Sequence, residues 1–403
     1  MTIFSNKQIL LGITGSIAGY KAADLASKLT QAGARVDVIL TGAAEKFITP
    51  LTFQSVTGRQ AFTDADLWGG QAHVLHVGLA QTAELMVIAP CTANTLGKLA
   101  HGIADGLLTI TALAVRCPLL VAPAMDVGIY SNQATQDNVK ILTERGFYFA
   151  GPAEGRMASG LVGKGRLVEA AELLGHVRLV LGSHGPLAGK KIVITAGGTQ
   201  EPLDPVRVLT NRSSGKQGYA LAQAALDAGG TVSLVSAPTG MPAPIGARVI
   251  QVKTAQEMLE AVLIESAGAD ALVMAAAVAD FRPKQLAENK LKKRDGIPQV
   301  ALEAAPDVLA AVAGMGAHRP GVVIGFAAES RDLLENATAK LKSKKLDMIV
   351  ANDISAPDAG FGVDTNRVTL LFSNAKERAL PLMSKDEVAE TIIAHLAMLL
   401  ENK

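Results

Sequence analysis

Short apolar runs that end in small or polar turns recur along this chain, each followed by a longer amphipathic run. Residues 8–14 read as a buried strand, 16–32 as a helix closed by Gly33, and 35–40 as a second strand. Residues 85–89 and 119–122 read as further strands, each leading into a proline and a polar turn. Strands this apolar need cover on both faces, which strand–helix–strand crossovers provide. The rhythm breaks once, at 181–190, which holds three glycines, one proline and no long apolar run, and so reads as a linker. It then restarts. Strands are predicted at 191–195, 231–236, 271–275, 322–326, 348–351 and 368–372, with helices at 215–228 and 385–401. No short-period repeat is present. The expectation is two nucleotide-binding-type, Rossmann-like α/β domains, 1–180 and 191–403. Each should place its ligands at the carboxyl ends of its strands.

Composition supports this class. In 403 residues, 38 Lys+Arg face 37 Asp+Glu, which argues against a polybasic nucleic-acid binder. At 49% hydrophobic the chain is too apolar for disorder, and 39 glycines suit tight strand-to-helix turns. Two cysteines, Cys91 and Cys117, cannot build a disulfide framework and fit a reducing compartment. The start of the sequence lacks a basic n-region and a cleavage site. The most apolar stretch, 107–125, is broken by Arg116 and Pro118, so it reads as helix then strand, not as a membrane span. A soluble, cytoplasmic protein with no membrane or nucleic-acid partner is expected.

In the first half, the turn Gly12-Ile13-Thr14-Gly15-Ser16-Ile17-Ala18 follows a strand and opens a helix. Backbone N–H groups there favour an anion such as phosphate, although small residues also serve packing alone. Glycines at 12, 15 and 19 do not make the GxGxxG fingerprint. Thr41-Gly42-Ala43-Ala44 and Pro90-Cys91-Thr92-Ala93-Asn94-Thr95 close the next strands. Hydroxyls and amides at successive strand ends converge, which suggests a cofactor with a phosphate and a polar chain. Cys91 reads as a small buried filler. His73 and His76 are the side chains best suited to moving protons near neutral pH, and are otherwise structural.

The ordered set Gly15-Ser16-Ile17-Ala18, His76 in H-x-x-L-A, A-P-C-T-A-N-T (89–95), G-I-A-D (102–105), P-A-M-D (123–126) and G-L-V-G-K-G-R (160–166) resembles the flavin-dependent cysteine decarboxylases, in particular phosphopantothenoylcysteine decarboxylase. The resemblance covers nearly all of 6–180 and implies a flavodoxin-like flavoprotein domain that binds FMN. It implies oxidation of the substrate's thiol side to a thioaldehyde, loss of carbon dioxide, and return of electrons to an enethiol. The active-site histidine maps onto His76, and cofactor contacts map onto Gly15, Ser16, Thr41, Pro90, Thr92, Ala93 and Asn94. Three positions depart from the pattern. Asp126 stands where the family has Asn. An ionised carboxylate cannot donate to the substrate carboxylate, so either Asp126 is protonated or a cation or another donor completes the site. Ile129 replaces a Met. Ser159 stands in the flap, in Met157-Ala158-Ser159-Gly160, where the family often carries a proton-donating Cys. Protonation by Ser159 or bound water, or release of an oxidised enethiol, are the alternatives that follow.

In the second half, residues 194–207 are rich in turn and polar residues after a strand. Thr210-Asn211-Arg212-Ser213-Ser214-Gly215-Lys216-Gln217-Gly218 has the donors and glycines of an anion-binding loop before a helix. The Walker spacing is absent. Asp280 closes a buried strand, a usual place for a ligand-contacting carboxylate. The basic run Lys290-Leu291-Lys292-Lys293 reads either as a solvated face or as a triphosphate-binding flap.

The strings I-T-A-G-G-T-x-E-P-L-D-P-V-R, N-R-S-S-G-K-x-G, A-A-V-A-D-F, K-L-K-K, G-F-A-A-E and A-N-D stand in order over about 188–375 and resemble phosphopantothenate–cysteine ligase. The resemblance implies a CTP-binding domain that activates the phosphopantothenate carboxylate as an acyl-cytidylate, which the cysteine amine then attacks. Asn211 maps onto the Asn of the acyl-cytidylate step and Lys290 onto the catalytic Lys. CTP contacts map onto Asp280, Lys290, Ala305, Pro306, Asp307, Val308, Phe326, Lys340 and Lys344. Mg²⁺ would arrive mainly through the CTP phosphates. The product of this half is the substrate of the other, so the chain is expected to be a bifunctional enzyme of coenzyme A biosynthesis. Its expected substrates are phosphopantothenate, cysteine and CTP. Relatives imply a homo-oligomer based on trimers, up to a dodecamer, with paired ligase domains. Asp126 and Ser159 motivate one alternative, an active ligase fused to a flavin-binding domain with impaired decarboxylation or a regulatory role. A nicotinamide oxidoreductase is a third reading. The missing GxGxxG, and the lack of an acid suited to a ribose after the second strand, weigh against it.

Overall fold

The computed structural model describes residues 3–68, 74–292, 298–329, 332–353 and 362–403. His73 and Lys293 lie outside the described residues. The chain divides into two compact units, Met1–Gly182 and Ser183–Lys403.

The first unit runs β1 (Gln8–Ile13), α1 (Gly19–Gln31), β2 (Arg35–Leu40), α2 (Pro50–Thr57), β3 (Ala61–Phe62), α3 (Leu75–Thr82), β4 (Leu85–Cys91) and α4 (Ala93–His101). It continues with α5 (Leu107–Ala114), β5 (Leu119–Pro123), α6 (Val127–Ser131), α7 (Gln133–Glu144), β6 (Tyr148–Phe149), β7 (Ala153–Arg156), β8 (Val162–Arg166) and α8 (Ala170–Gly182). The parallel sheet has the order β3-β2-β1-β4-β5-β6. Without the two-residue β3 this is the flavodoxin-like order, with the chain reversing direction across the sheet between β1 and β4.

Alternation along the strands builds two cores. Ile9, Leu11 and Ile13 of β1, with Val87 and Ala89 of β4, pack with α1 and α8 on one face. Leu10, Met86 and Ile88 point the other way, into a core with Leu96 and Leu99 of α4 and Leu107 and Leu108 of α5. Cys91 is fully buried there, and burial pushes its thiol far above the ordinary range, as suits a filler. Helix α1 ends with Gly33 at φ 99°, where the Ala34 N–H reaches the Leu29 carbonyl. It begins at Gly19, not at 16. The Ser16 N–H bonds to the Thr14 carbonyl and the Gly19 N–H to the Ser16 carbonyl, so residues 16–18 curl into a turn.

The second unit runs β9 (Lys191–Ala196), β10 (Gln200–Pro202), β11 (Val208–Thr210), α9 (Lys216–Asp227), β12 (Thr231–Ser236), β13 (Arg248–Gln251), α10 (Ala255–Ser266), β14 (Ala271–Met274), β15 (Phe281–Pro283) and β16 (Leu302–Ala304). Then come α11 (Val308–Ala313), β17 (Val322–Glu329), α12 (Leu333–Ser343), β18 (Met348–Asp353), β19 (Thr365–Asn366), β20 (Val368–Phe372), β21 (Glu377–Ala379), β22 (Met383–Ser384) and α13 (Lys385–Glu401). Its eight-stranded sheet has the order β13-β12-β9-β14-β17-β18-β20-β21, with the last two strands antiparallel. The six parallel strands follow the Rossmann order. Helices α10, α11 and α12 share one core with the sheet, and α13 packs on α9.

The stretch expected as a linker is not loose. Residues 181 and 182 finish α8, and Leu187 is fully buried with its N–H on the Ala228 carbonyl at 2.8 Å. One apolar side chain there finds a buried seat, which glycine and proline content does not reveal.

Candidate functional site

Each unit gathers its polar turns at the carboxyl ends of its central strands. In the first unit Thr14 stitches two of them together. Its buried Oγ1 donates to the Pro90 carbonyl at 2.7 Å and accepts from the Thr92 N–H at 3.0 Å. Thr92 caps α4 by accepting from Thr95 N–H, so Ala93 and the exposed Asn94 form its first turn. Thr41 holds the β2 turn against β1, its Oγ1 donating to the Ile13 carbonyl at 3.3 Å. Gly15 sits where these turns meet: a Cβ there would lie 2.6 Å from Ala43 Cβ. The expected cofactor residues Gly15, Ser16, Thr41, Pro90, Thr92 and Ala93 therefore share one edge of adjacent strands. Helix α1 has no side-chain cap, and its first turn closes on its own backbone, with the Gly19 N–H on the Ser16 carbonyl and the Lys21 N–H on the Ala18 carbonyl.

Asp64, which the sequence did not single out, bridges this edge. Its carboxylate accepts from Gly42 N–H at 3.3 Å and from Leu107 N–H, opening α5, at 2.8 Å. A lone Asp in a polar segment gives no local signal of this reach. His76 lies in the first turn of α3, half-buried, with Nδ1 buried and lacking a partner among the described residues. An orphaned buried nitrogen costs about 1–3 kcal/mol unless a ligand or water satisfies it.

Asp126 and Ser159 touch each other. Asp126 caps α6, accepting from Gly128 N–H at 3.1 Å, and its other oxygen accepts from Ser159 Oγ at 2.5 Å. Ser159 is at the tip of the β7–β8 hairpin. The Ser159 hydroxyl and then the Gly128 N–H hold the Asp126 carboxyl below the usual carboxylate range. Both donors on this carboxylate, Ser159 Oγ and Gly128 N–H, favour its charged form. Ile129 is exposed on α6.

In the second unit a cavity of about 1040 Å³ opens over the ends of the central strands. Segments 211–218, 274–280 and 304–309 line it, with Phe326, Lys340 and Lys344. Asn211 Nδ2 donates to the Val278 carbonyl at 3.2 Å and reaches the Ala277 carbonyl at 3.4 Å. Thr199 Oγ1 accepts from Ala279 N–H at 2.9 Å, and Ala305 N–H bonds to the Asp280 carbonyl at 2.9 Å. Asp307 caps α11 through Ala310 N–H and accepts from Lys344 Nζ at 2.5 Å. Burial pushes the Asp307 carboxyl up, but Lys344 and the cap outweigh it and hold it below its ordinary value. Lys340 Nζ donates to the Phe326 carbonyl at 3.0 Å. Asp280, Ala305, Pro306, Asp307, Val308, Phe326, Lys340 and Lys344 thus share one wall with Asn211.

Lys290 is different. It is exposed and absent from the cavity wall. The neighbouring Leu291 is tied away from it: its N–H reaches buried Asp204 at 3.1 Å and its carbonyl accepts from Arg207 at 2.9 Å. The cavity also takes in Lys216, from the expected anion-binding loop, and Asn352, Asn366 and Lys385, which the sequence did not single out as site residues. Lys216 pairs with Asp364 at 2.6 Å, and Lys385 Nζ donates to the Val363 carbonyl at 2.6 Å. Burial and then Lys216 push the Lys385 ammonium below its ordinary range, with Asp364 pulling back. Asn352 Oδ1 is buried without a partner among the described residues. Among those residues no group of three or more His, Cys, Asp or Glu is arranged to hold a metal ion, and no helix is long and apolar enough to cross a membrane.

Comparison with known proteins matches both units. The Flavoprotein family model covers residues 3–181, and the model described as DNA/pantothenate metabolism flavoprotein C-terminal domain covers 187–400. The coenzyme A biosynthesis bifunctional protein CoaBC of Bacillus subtilis (strain 168) is 44% identical over 400 residues, 98% of each chain. The protein of the same description from Vibrio vulnificus (strain CMCP6) is 43% identical over 402 residues, 99% of this chain and 100% of its own. A crystal structure of the C-terminal domain of CoaBC is 40% identical, covering 54% of this chain and all of its own, with a TM-score of 0.47. A matching order of domains at this identity, over nearly every residue, makes this chain a member of the coenzyme A biosynthesis bifunctional protein family.

Proposed function

We propose that this chain carries out two consecutive steps of coenzyme A biosynthesis: it joins phosphopantothenate to cysteine with CTP, and decarboxylates the conjugate to phosphopantetheine. Full-length membership of the bifunctional family carries this reading, with one strand-end site in each unit. In the second unit CTP lies along the wall formed by Asp280, Ala305, Pro306, Asp307, Val308, Phe326, Lys340 and Lys344. The phosphopantothenate carboxylate attacks the α-phosphorus and pyrophosphate leaves. The cysteine amine then displaces CMP, and the Asn211 amide donates to the oxyanion that forms. Lys290 supplies charge to the triphosphate from the exposed stretch beside its Leu291 anchor. Mg²⁺ enters on the phosphates, in keeping with an all-protein cage being unnecessary for this ion.

In the first unit the residues fit FMN. The buried His76 Nδ1, which finds no partner among the described residues, asks for a ligand, and the polar turns after β1, β2 and β4 are tied side by side at the strand ends. Gly15, Ser16, Thr41, Pro90, Thr92, Ala93 and Asn94 would hold it. When bound, FMN supplies two-electron redox chemistry at the substrate's cysteinyl carbon and sulfur. His76 exchanges a proton with the substrate through its imidazole. The hairpin tip covers the end of β5, and the completing proton comes from Ser159 or from water it admits. Large exposed apolar side chains on the turns and helix starts after β1 and β2 (Ile17, Tyr20, Phe47, Leu51) and on the β10–β11 arm (Val206, Leu209) favour a homo-oligomer. The assigned compartment is the cytoplasm.

The test is a product mass spectrum from full-length protein with phosphopantothenate, cysteine, CTP and Mg²⁺. Phosphopantetheine is expected. Accumulated conjugate identifies an active ligase beside an impaired decarboxylase, the second reading, which the ionised Asp126 favours. No conjugate refutes the ligase assignment.

A further inference from the structure

We propose that Asp126 and Ser159 form a latch fixing the β7–β8 hairpin over the end of β5, and that the proton completing the decarboxylated product comes from solvent water rather than from Ser159 Oγ. This rests on the decarboxylase reading and specifies which group finishes the reaction.

The hairpin is fastened at three heights. At its base, the Met125 N–H bonds to the Gly165 carbonyl at 2.9 Å. Along its stem, two glycines let the backbone lie on the β5–α6 turn. A Cβ at Gly165 would be 2.3 Å from the Met125 carbonyl oxygen, and one at Gly163 would be 2.7 Å from Val127 Cγ2. At its tip, the Gly160 N–H and Met157 carbonyl close a turn, and Ser159 Oγ reaches Asp126. The bond at the tip is the one side-chain hydrogen bond among these fastenings, and a substitution at either of its ends removes it. No cation pairs with Asp126 among the described residues.

The same bond disqualifies Ser159 as the acid. Its proton already lies on a carboxylate, and giving it elsewhere would leave an alkoxide against that anion. Asp126 is held ionised by the bond and by Gly128 N–H, and at neutral pH has no proton to give. The two family departures, at Asn and at Cys, therefore belong together. A carboxylate needs a donor at the tip, which a hydroxyl provides better than the weakly donating S–H. Ser159 is exposed, so water reaches the tip. In that step an O–H bond of water breaks and its proton forms the new C–H bond at one enethiol carbon, the hydride equivalent for the other carbon would come from the flavin reduced in the earlier oxidation, and hydroxide passes to solvent. No electrons are exchanged with the latch.

The experiment uses the flavin-loaded full chain as wild type, S159A, D126A, D126N and the D126A/S159A double variant. Hydrogen–deuterium exchange is read at the tip amides Met157 and Gly160. Each alanine variant should speed exchange about three- to tenfold, the size of one charge-assisted surface bond. The double variant should exchange no faster than the singles, and D126N, which keeps an acceptor, should retain most of the protection. Additive effects overturn the latch. Product mass is read in parallel. S159A should turn over more slowly yet still yield phosphopantetheine, whereas a product two hydrogens lighter makes Ser159 the donor and overturns the water route. A wild type that removes no carbon dioxide sinks the decarboxylase reading and the water route together, while exchange still decides the latch.

Discussion

Gly218 faces β9 from the first turn of α9, the helix that carries the 211–216 loop into the ligase cavity. A Cβ there would lie 2.5 Å from Ala196 Cβ, 2.8 Å from the Thr195 carbonyl oxygen and 2.9 Å from Ala196 Cα. Backbone cannot rotate aside, so in G218A the helix must retreat by roughly 1 Å to restore ordinary contact. Over-packing of this kind costs about 1–3 kcal/mol, here at the upper end, against about 1 kcal/mol regained from helix propensity. The net loss of about 2 kcal/mol should lower the second unit's Tm by roughly 4–8 °C. An Å-scale shift of the loop should cut ligase kcat/KM by about 10- to 100-fold. Decarboxylation of supplied conjugate, performed by the other unit, should be unchanged. Gly78 is the control. It lies in α3 with nothing within 4 Å of a built Cβ, so G78A takes the propensity gain without the clash and should raise the first unit's Tm by roughly 2–4 °C. Calorimetry and separate half-reaction assays read all of this. If G218A matches wild type in both Tm and ligase rate, the packing argument is wrong.

Two further outcomes follow from the site geometry. T14V leaves the Pro90 carbonyl and Thr92 N–H without their shared partner, at a cost of about 1–3 kcal/mol. Flavin absorbance per protein and the urea midpoint should both fall, and unchanged flavin content would count against the stitched turn as a cofactor seat. Asp307 binds its proton more weakly folded than unfolded, so its stabilisation is complete above the unfolded value of about 3.9 and is lost as pH falls through the lower folded value. D307N should therefore melt below wild type at pH 6, with the gap closing as the pH falls below the unfolded value; a constant gap refutes the charge origin.

Central strands were legible because burial on both faces leaves uninterrupted apolar runs. The start and end of β2, β12, β20 and α13 follow directly from their patterns. Peripheral pieces were not. The hairpin β7–β8 buries only Gly165 and otherwise alternates half-buried and exposed residues with no apolar face, and β3 and β6 are two residues each. Turn composition pointed to the strand-end edge, but Thr14's link to Thr92 spans 78 residues and the Asp126–Ser159 bond 33, distances at which no local pattern operates. The K-L-K-K string marked Lys290, yet only the Asp204 and Arg207 bonds to Leu291 reveal that it stands outside the cavity wall. Lys385 read as the start of a closing helix. Its approach to Lys216 depends on α13 folding back onto α9.

The placement of β9 has a consequence for synthesis. It is the first strand of its sheet in sequence and sits between β12 and β14. One edge is matched soon after β12 emerges, but the other waits for Met274, roughly 80 residues beyond Ala196. At about 5–20 residues per second, a ribosome leaves that apolar edge bare for roughly 4–16 s. The crossing point that opens a crevice for ligands in the finished enzyme is therefore, in the nascent chain, its longest-lived sticky surface, and chaperone capture should be strongest over that interval.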